Sequence, residues 1–250
     1  MRGAITFVGK AWLSEYYIFD GKVSVHSPSW TQTLAWICDK QLWGAHGLQT
    51  PIVWESRFLA QPMHIEMNNV AFTMGIAKAR GTLKVDFQSH VPAIMGSLVF
   101  DDLDLNFLRA VFFFANEKKI FFDRTIFDYI EVDVRLSVPQ AKIGNFELKD
   151  LAAAIQIRDG HGILDLGHAH VFDGSLQSNI QIAQVGHKMC IEGQISGTSI
   201  DTKAALEALK IIPFVQSKVD FTMTIQTLAS SWSEIFKKMQ GEVALNMSFG

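Results

Sequence analysis

Residues 130–138 read Ile130-Glu131-Val132-Asp133-Val134-Arg135-Leu136-Ser137-Val138. Apolar and polar side chains alternate through the whole stretch. Successive side chains of an extended chain point to opposite faces, so this is a strand with one apolar face and one polar face. The pattern recurs. Val219, Phe221, Met223 and Ile225 alternate with Asp220, Thr222, Thr224 and Gln226. Val243, Leu245, Met247 and Phe249 alternate with Glu242, Ala244, Asn246 and Ser248. Leu83, Val85 and Phe87 do the same against Thr82, Lys84 and Asp86, and the opening Met1-Arg2-Gly3-Ala4-Ile5-Thr6-Phe7 already reads as a strand. Alternation this clean favours an antiparallel sheet with one solvated face.

Turn signals stand between such runs at Asp20-Gly21, Ile143-Gly144-Asn145, Asp159-Gly160 and Asp173-Gly174, and several suit hairpins. Helical spacing appears in four places. Ser29 and Gln32 form a capping pattern before Leu34 and Ile37. Asp104 can cap a helix with Leu108, Val111, Phe112 and Ala115 on its apolar face. Asp201 can cap one carrying Ala205, Leu206, Leu209 and Ile212, with Pro213 as its stop. Ser231 and Glu234 form a capping-box pattern before Ile235, Phe236 and Met239. Each helix follows a short strand. About four strands separate the first helix from the second and about five or six the second from the third. Meandering strands closed by one short helix suggest a repeated unit. No Pro-, Ser- or Gly-rich linker divides the chain, so residues 1–250 read as one continuous, extended sheet.

The composition agrees. Of 250 residues, 48% are hydrophobic and 19% charged, with 19 Phe against 3 Tyr. The mean hydropathy is +0.16. Such an excess of apolar side chains means a large core or an apolar surface meant for lipid, membrane or partner. Net charge is −3 and Lys and Arg are scattered, which makes nucleic acid an unfavoured partner. Cys38 and Cys190 lie far apart, form neither a disulfide framework nor a zinc site, and read as two buried free thiols, with pairing in an oxidising compartment as the alternative. No signal peptide stands out. The most apolar stretch, Phe107 to Ala115, contains Arg109 and falls far short of the ~20 residues of a spanning helix. The chain is then expected to be either cytosolic or a piece of a longer protein whose N-terminal anchor is missing.

No catalytic constellation emerges. His168 and His170 sit at i and i+2 on one face of a strand, but a metal site needs three or four converging ligands. Asp101, Asp102 and Asp104 stand where a strand gives way to a helix, where acidic side chains cap free N–H groups. Gly193-Gln194-Ile195-Ser196-Gly197 has the wrong spacing for a nucleophile elbow, and neither Gly160-His161-Gly162 nor Gly186-His187-Lys188 is a phosphate loop. Cys190 in an alternating strand reads as core. The run Phe112-Phe113-Phe114 reads as a helix plugged into the sheet, with a lipid contact as the alternative. The expectation is a non-enzymatic protein without cofactor or metal.

The chain also resembles the C-terminal region of the AsmA family of Gram-negative envelope proteins. The residues that carry the likeness run from Gly96-Ser97-Leu98-Val99-Phe100-Asp101-Asp102-Leu103-Asp104-Leu105-Asn106-Phe107-Leu108 through Phe122-Asp123 and Asp133-Val134-Arg135-Leu136-Ser137. They continue with Ala152-Ala153-Ala154-Ile155, Asp159-Gly160, Asp173-Gly174 and Gly241-Glu242-Val243-Ala244-Leu245 before Phe249-Gly250. Phe7-Val8-Gly9-Lys10-Ala11 and Phe19-Asp20-Gly21 fit as well. The resemblance implies a protein anchored in the inner membrane, projecting into the periplasm, related to bridge-like lipid carriers and serving outer-membrane biogenesis. It implies no catalytic residues. The family's N-terminal membrane helix is not seen here, which suggests a piece of a longer anchored protein.

The expected fold is therefore mainly β: an extended, curled antiparallel sheet forming an open groove, with about four short helices. Helices so few cannot cover roughly fifteen strands spaced ~4.8 Å apart. The apolar face must curl, pair with another sheet or hold acyl chains, which at ~25 cal/mol per Å2 have ample drive to stay. The residues expected to face lipid are Ile130, Val132, Val134, Leu136, Val138, Val219, Phe221, Met223, Ile225, Val243, Leu245 and Met247. The expected partners are a phospholipid or other acyl lipid, a membrane through a missing N-terminal anchor, and an envelope protein. The alternative function is a periplasmic scaffold that affects outer-membrane protein assembly through strand-edge contacts.

Overall fold

The computed structural model describes residues 3–13, 16–29, 50–107, 130–186, 188–230 and 232–248. One sheet holds all fourteen strands. The first seven are β1 (Ala4–Leu13), β2 (Tyr17–Ser27), β3 (Ile52–Gln61), β4 (His64–Met74), β5 (Ala77–Asp86), β6 (Ala93–Phe100) and the two-residue β7 (Leu103–Asp104). The rest are β8 (Glu131–Ile143), β9 (Phe146–Arg158), β10 (His161–Val171), β11 (Gly174–Val185), β12 (Lys188–Asp201), β13 (Lys218–Ala229) and β14 (Gln240–Ser248). Apart from β7, which pairs with β8, the strands lie side by side in chain order. The sheet stays open, with β1 and β14 as its two edges.

Two features depart from the sequence expectation. The sheet is not antiparallel throughout, because β8 runs parallel to β6 and to β7. A parallel join needs a crossover, and residues 101–130 separate the end of β6 from the start of β8. Among the described residues there are two helices rather than about four, α1 (Thr202–Ala208) and α2 (Trp232–Lys238). The helix expected after Ser29 lies outside the described residues. So does the one expected through Ala115, except for its helical start at residues 105–107.

The helix caps were legible and the stop was not. The Asp201 carboxylate accepts from the Ala204 N–H at 2.9 Å, as an N-cap should. Asp104 accepts from Asn106 at 2.8 Å and Phe107 at 3.2 Å. α1, however, ends well before Pro213. Ile211 N–H reaches back to the Leu206 carbonyl and Lys210 N–H to Glu207, with Lys210 at φ 60. This is a Schellman ending with lysine in the left-handed position usually held by glycine. At α2, Glu234 accepts from the Ser230 N–H at 3.0 Å.

Asp20-Gly21 is also no turn. Both residues lie inside β2, where Gly21 stands opposite Gly9 of β1. A Cβ on Gly9 would come within 2.8 Å of the Phe7 ring, so the ring covers two residues that have no side chain. The Asp159-Gly160 turn is as expected, with φ of 50 and 76. The next turn falls on Phe172-Asp173, one residue early, and Gly174 opens β11.

Bulges break the two-residue period at defined places. Met67 and Val70, Leu148 and Leu151, Leu166 and Ala169, and Gly197 and Ile200 are each three apart. Val70, Leu148, Leu151, Ala169 and Ile200 are nevertheless all buried. The register shifts between Met67 and Val70, between Leu166 and Ala169, and between Gly197 and Ile200. Asn69 and Ser199 supply the extra residue of the first and last at φ 52 and 56, and Asp150, at φ 52, lies where the β9–β10 register shifts between His168 and His170. The Ser199 N–H is held by Asp220 Oδ1 at 2.7 Å. Each bulge lets a strand bend and twist without losing its face.

Candidate functional site

The strand registers can be followed across the sheet one residue at a time. From β1 to β6 one row runs Gly9, Gly21, Phe58, Met67, Leu83, Gly96. It continues through Val134, Ile155, Leu164, Ile180, Gly193, Ile225 and Gly241 to β14. Each of its thirteen positions is apolar or glycine. At ~4.8 Å per strand the row is roughly 60 Å long. Beside it a parallel row joins Leu98, Leu136, Ala153, Leu166, Ser178, Ile195, Met223 and Val243.

These rows place the residues expected to face lipid. Val132, Val134, Leu136 and Val138 share one face of β8, and Ile130 immediately precedes that strand. Val219, Phe221 and Met223 stand opposite Met247, Leu245 and Val243, and Ile225 opposite Gly241. The register joins the β8 group and the β13–β14 group on one face. Their coverage differs. Val138 is 0% exposed, whereas Val243 and Leu245 are 57% and 60% exposed.

Cover is concentrated toward the strand ends. A cluster of Ala77, Leu103, Val138, Ala141, Leu151, Ala169, Ile200 and Val219 fills one side, with Leu105, Phe107 and Ala205 packed against it. Toward the opposite strand ends, Ile235 of α2 packs with Met189, Ile191 and Ala229. Between them Phe58, Met67, Ile155, Ile180, Leu136 and Met223 stay partly open to solvent, and Leu164 is 39% exposed. Near the β1 edge Phe7 meets Phe19 and Phe58 edge-on, with ring centres 6.1 and 6.3 Å apart.

The polar candidates resolve individually. Asp101 pairs with Arg80 at 2.8 Å, and Asp104 is spent on its helical turn. His168 and His170 do face each other, with Nε2 atoms 3.1 Å apart, so one ring donates and the other accepts. His170 borders a cavity of about 500 Å3 lined also by Lys149, Glu147 and Asp173. Among the described residues, no three His, Cys, Asp or Glu side chains are placed to hold a metal. Cys190 is free, but it is not the buried core thiol that its alternating strand suggested. It is half-buried, with Sγ 3.7 Å from Glu192 Oε1. Partial burial, and then the nearby Glu192 charge, hold its thiol above the usual pKa. Cys38, His187 and Phe112-Phe113-Phe114 lie outside the described residues.

Sequence reasoning found the apolar face but missed what keeps it continuous. The glycines of the long row and the bulge residues carry no hydrophobic signal. Only the register shows that they lie in line.

Fold and face together define a sheet protein with one polar face and one continuous, incompletely covered apolar face. The AsmA family model matches residues 115–250, more than half of the chain. The chain belongs to the AsmA family. Comparison with curated proteins and with solved structures gives no match. No helix among the described residues is long and apolar enough to cross a membrane.

Proposed function

We propose that this chain is a non-enzymatic envelope protein that binds or conducts acyl lipid along the apolar face of its sheet, on the periplasmic side, in support of outer-membrane biogenesis. The observation that carries the proposal is the thirteen-position row without a polar side chain. A soluble sheet normally covers such a surface, and here the middle of it is left partly open. Acyl chains would complete the cover, and the bulged strands supply the curl of a trough. Half a bilayer core is ~15 Å thick, so a row of roughly 60 Å takes several acyl chains end to end. Aliphatic contact is non-directional, so binding tolerates different head groups. Family membership supports the envelope setting.

Native mass spectrometry of the full chain tests this. Phospholipid is expected to co-purify, and Leu136→Asp or Met223→Asp to remove it while Ser137→Asp on the polar face keeps it. Lipid-free protein, or lipid retained by both apolar-face variants, would falsify the proposal.

The edges favour a second reading. All ten residues of β1 are exposed, and its outer side has no strand partner among the described residues. An unpaired edge of that length is a template for strand addition by an envelope protein. Crosslinking from β1 that captures such a partner, and that persists in Leu136→Asp, would support the scaffold function instead.

A further inference from the structure

Between α1 and β13 the chain reads Leu209-Lys210-Ile211-Ile212-Pro213-Phe214-Val215. Ile212 and Phe214 are 87% and 79% exposed, the two highest values among the large hydrophobic side chains described. The sheet does not need them there. They pack on neither its apolar face nor the cores at its strand ends.

The loop is nonetheless held at both feet. Its first residues are fixed by the Schellman ending, in which Ile211 N–H bonds the Leu206 carbonyl at 2.9 Å. Asn145, from the turn between β8 and β9, donates to the Ala208 carbonyl at 3.0 Å. At the other foot, Thr202 N–H donates to the Ser217 carbonyl at 3.0 Å, and Ser217 N–H donates to Thr202 Oγ1 at 3.0 Å. The Thr202 hydroxyl also lies 3.2 Å from the Val215 carbonyl. Between these ties Pro213 has a fixed φ and no N–H to satisfy. The result is a braced apolar tip.

The charges within residues 202–218 have one dominant sign. Lys203, Lys210 and Lys218 are exposed, against Glu207 alone within residues 202–218. Asp201 just outside is committed to its cap and Asp220 to Ser199. This cationic collar sits on a chain of net charge −3. Large exposed apolar side chains in a segment flanked by exposed lysines match the layering of a bilayer surface, with acyl chains below and anionic head groups above. We propose that residues 209–215 form a membrane-docking loop that inserts Ile212 and Phe214 into an anionic bilayer, next to the strand ends of β12 and β13. The loop would bring that side of the sheet to the membrane whether or not the apolar face holds lipid.

Co-sedimentation of the full chain with vesicles tests the idea. Vesicles of phosphatidylcholine containing phosphatidylglycerol are expected to pellet the chain, and phosphatidylcholine alone to do so more weakly. The double variant Ile212→Asp/Phe214→Asp should bind about tenfold more weakly or worse, since each apolar side chain lost from the acyl region costs a large part of its transfer energy. Its thermal unfolding should be unchanged, because both side chains face solvent. The pair Lys210→Gln/Lys218→Gln should lose the preference for phosphatidylglycerol. Leu136→Asp, which targets the apolar face, should pellet like the native chain, so failure of groove binding and failure of docking are read separately. Docking is overturned if the native chain stays in the supernatant, if the tip variant pellets like it, or if the loop proves to join two copies in sedimentation without vesicle binding.

Discussion

Two rows of the sheet lie one residue apart and differ almost completely. The apolar row runs from Gly9 to Gly241 without a polar side chain. Its neighbour on the other face begins Lys10, Asp20, Leu59, Glu66, Lys84 and Met95. It continues Asp133, Gln156, Ile163, Gln181, Glu192, Gln226 and Gln240. Cross-strand partners on this second row include opposite charges, such as Glu66 and Lys84 at 3.0 Å. A slip of one residue in any strand would exchange the two rows locally and bury those charges. The contrast shows that the sheet is specified by phase. Each strand must enter with the right residue facing the right way, and thirteen strands in sequence must agree.

The most severe way to break the contrast is to put a charge into the covered part of the apolar face. Val138→Asp should cost about 4 kcal/mol or more, because Val138 is 0% exposed and sits in the apolar cluster of Ala77, Leu103, Ala141 and Leu151. Ser137→Asp, one residue away on the exposed face, should change stability by less than about 0.5 kcal/mol. The measurement is the urea midpoint of each variant. Equal shifts would mean that phase is not what holds β8. The hydrogen-bonded neighbours of each strand are adjacent in sequence order, so the damage should be local first. Hydrogen exchange should rise in β8 and β9 before it rises in β13.

A milder break attacks the bulges that keep the rows in phase. Asp150 sits at φ 52, where a side chain branched at Cβ is strained. Asp150→Val should cost roughly 1–2 kcal/mol, whereas Asp150→Gly should be close to neutral. The same ordering is expected at Asn69. A valine tolerated at both positions would show that the strands can absorb the extra residue some other way.

These bulges mark the limit of what the sequence made legible. The strands around Ile130–Val138, Val219–Ile225 and Val243–Met247 were readable because alternation is a local property. The caps at Asp104 and Asp201 were readable because a carboxylate at a helix start has a local partner. The parallel join of β6 to β8 was not, since a parallel pair depends on a distant crossover and leaves no period of its own. Asp20-Gly21 misled because glycine favours turns as well as strand positions that a neighbouring ring must cover, and only the Gly9 pairing tells them apart. The site was half legible. Face membership was visible in β8, β13 and β14, while coverage was not, because Val138 and Leu245 have the same local pattern and differ only in what packs over them. The stop of α1 went to Lys210 rather than Pro213, since the hydrogen bonds of a Schellman ending outweigh the weak signal against lysine in that conformation.

The smallest effect expected is a pH dependence at α2, which covers the apolar face where Ile191 and Ala229 meet Ile235. The Glu234 carboxylate is held below its usual range, first by its hydrogen bond with Lys238 and then by the Ser230 N–H. A carboxyl whose pKa is lower in the folded state stabilises that state above its unfolded pKa, and the contribution is lost as pH falls through the folded value. The native chain should therefore unfold at a higher temperature than Glu234→Gln at pH 7. The difference should shrink as pH drops below the ordinary glutamate range of about 4.3. The side chain is solvent-exposed, so the change should be small and further reduced by salt. Amide exchange at Ile191 and Ala229 should follow the same pH course if the ion pair helps α2 stay over the apolar face. A difference between native and variant that holds constant from pH 7 to pH 3 would separate α2 docking from Glu234 and leave the packing of Ile235 as its sole support.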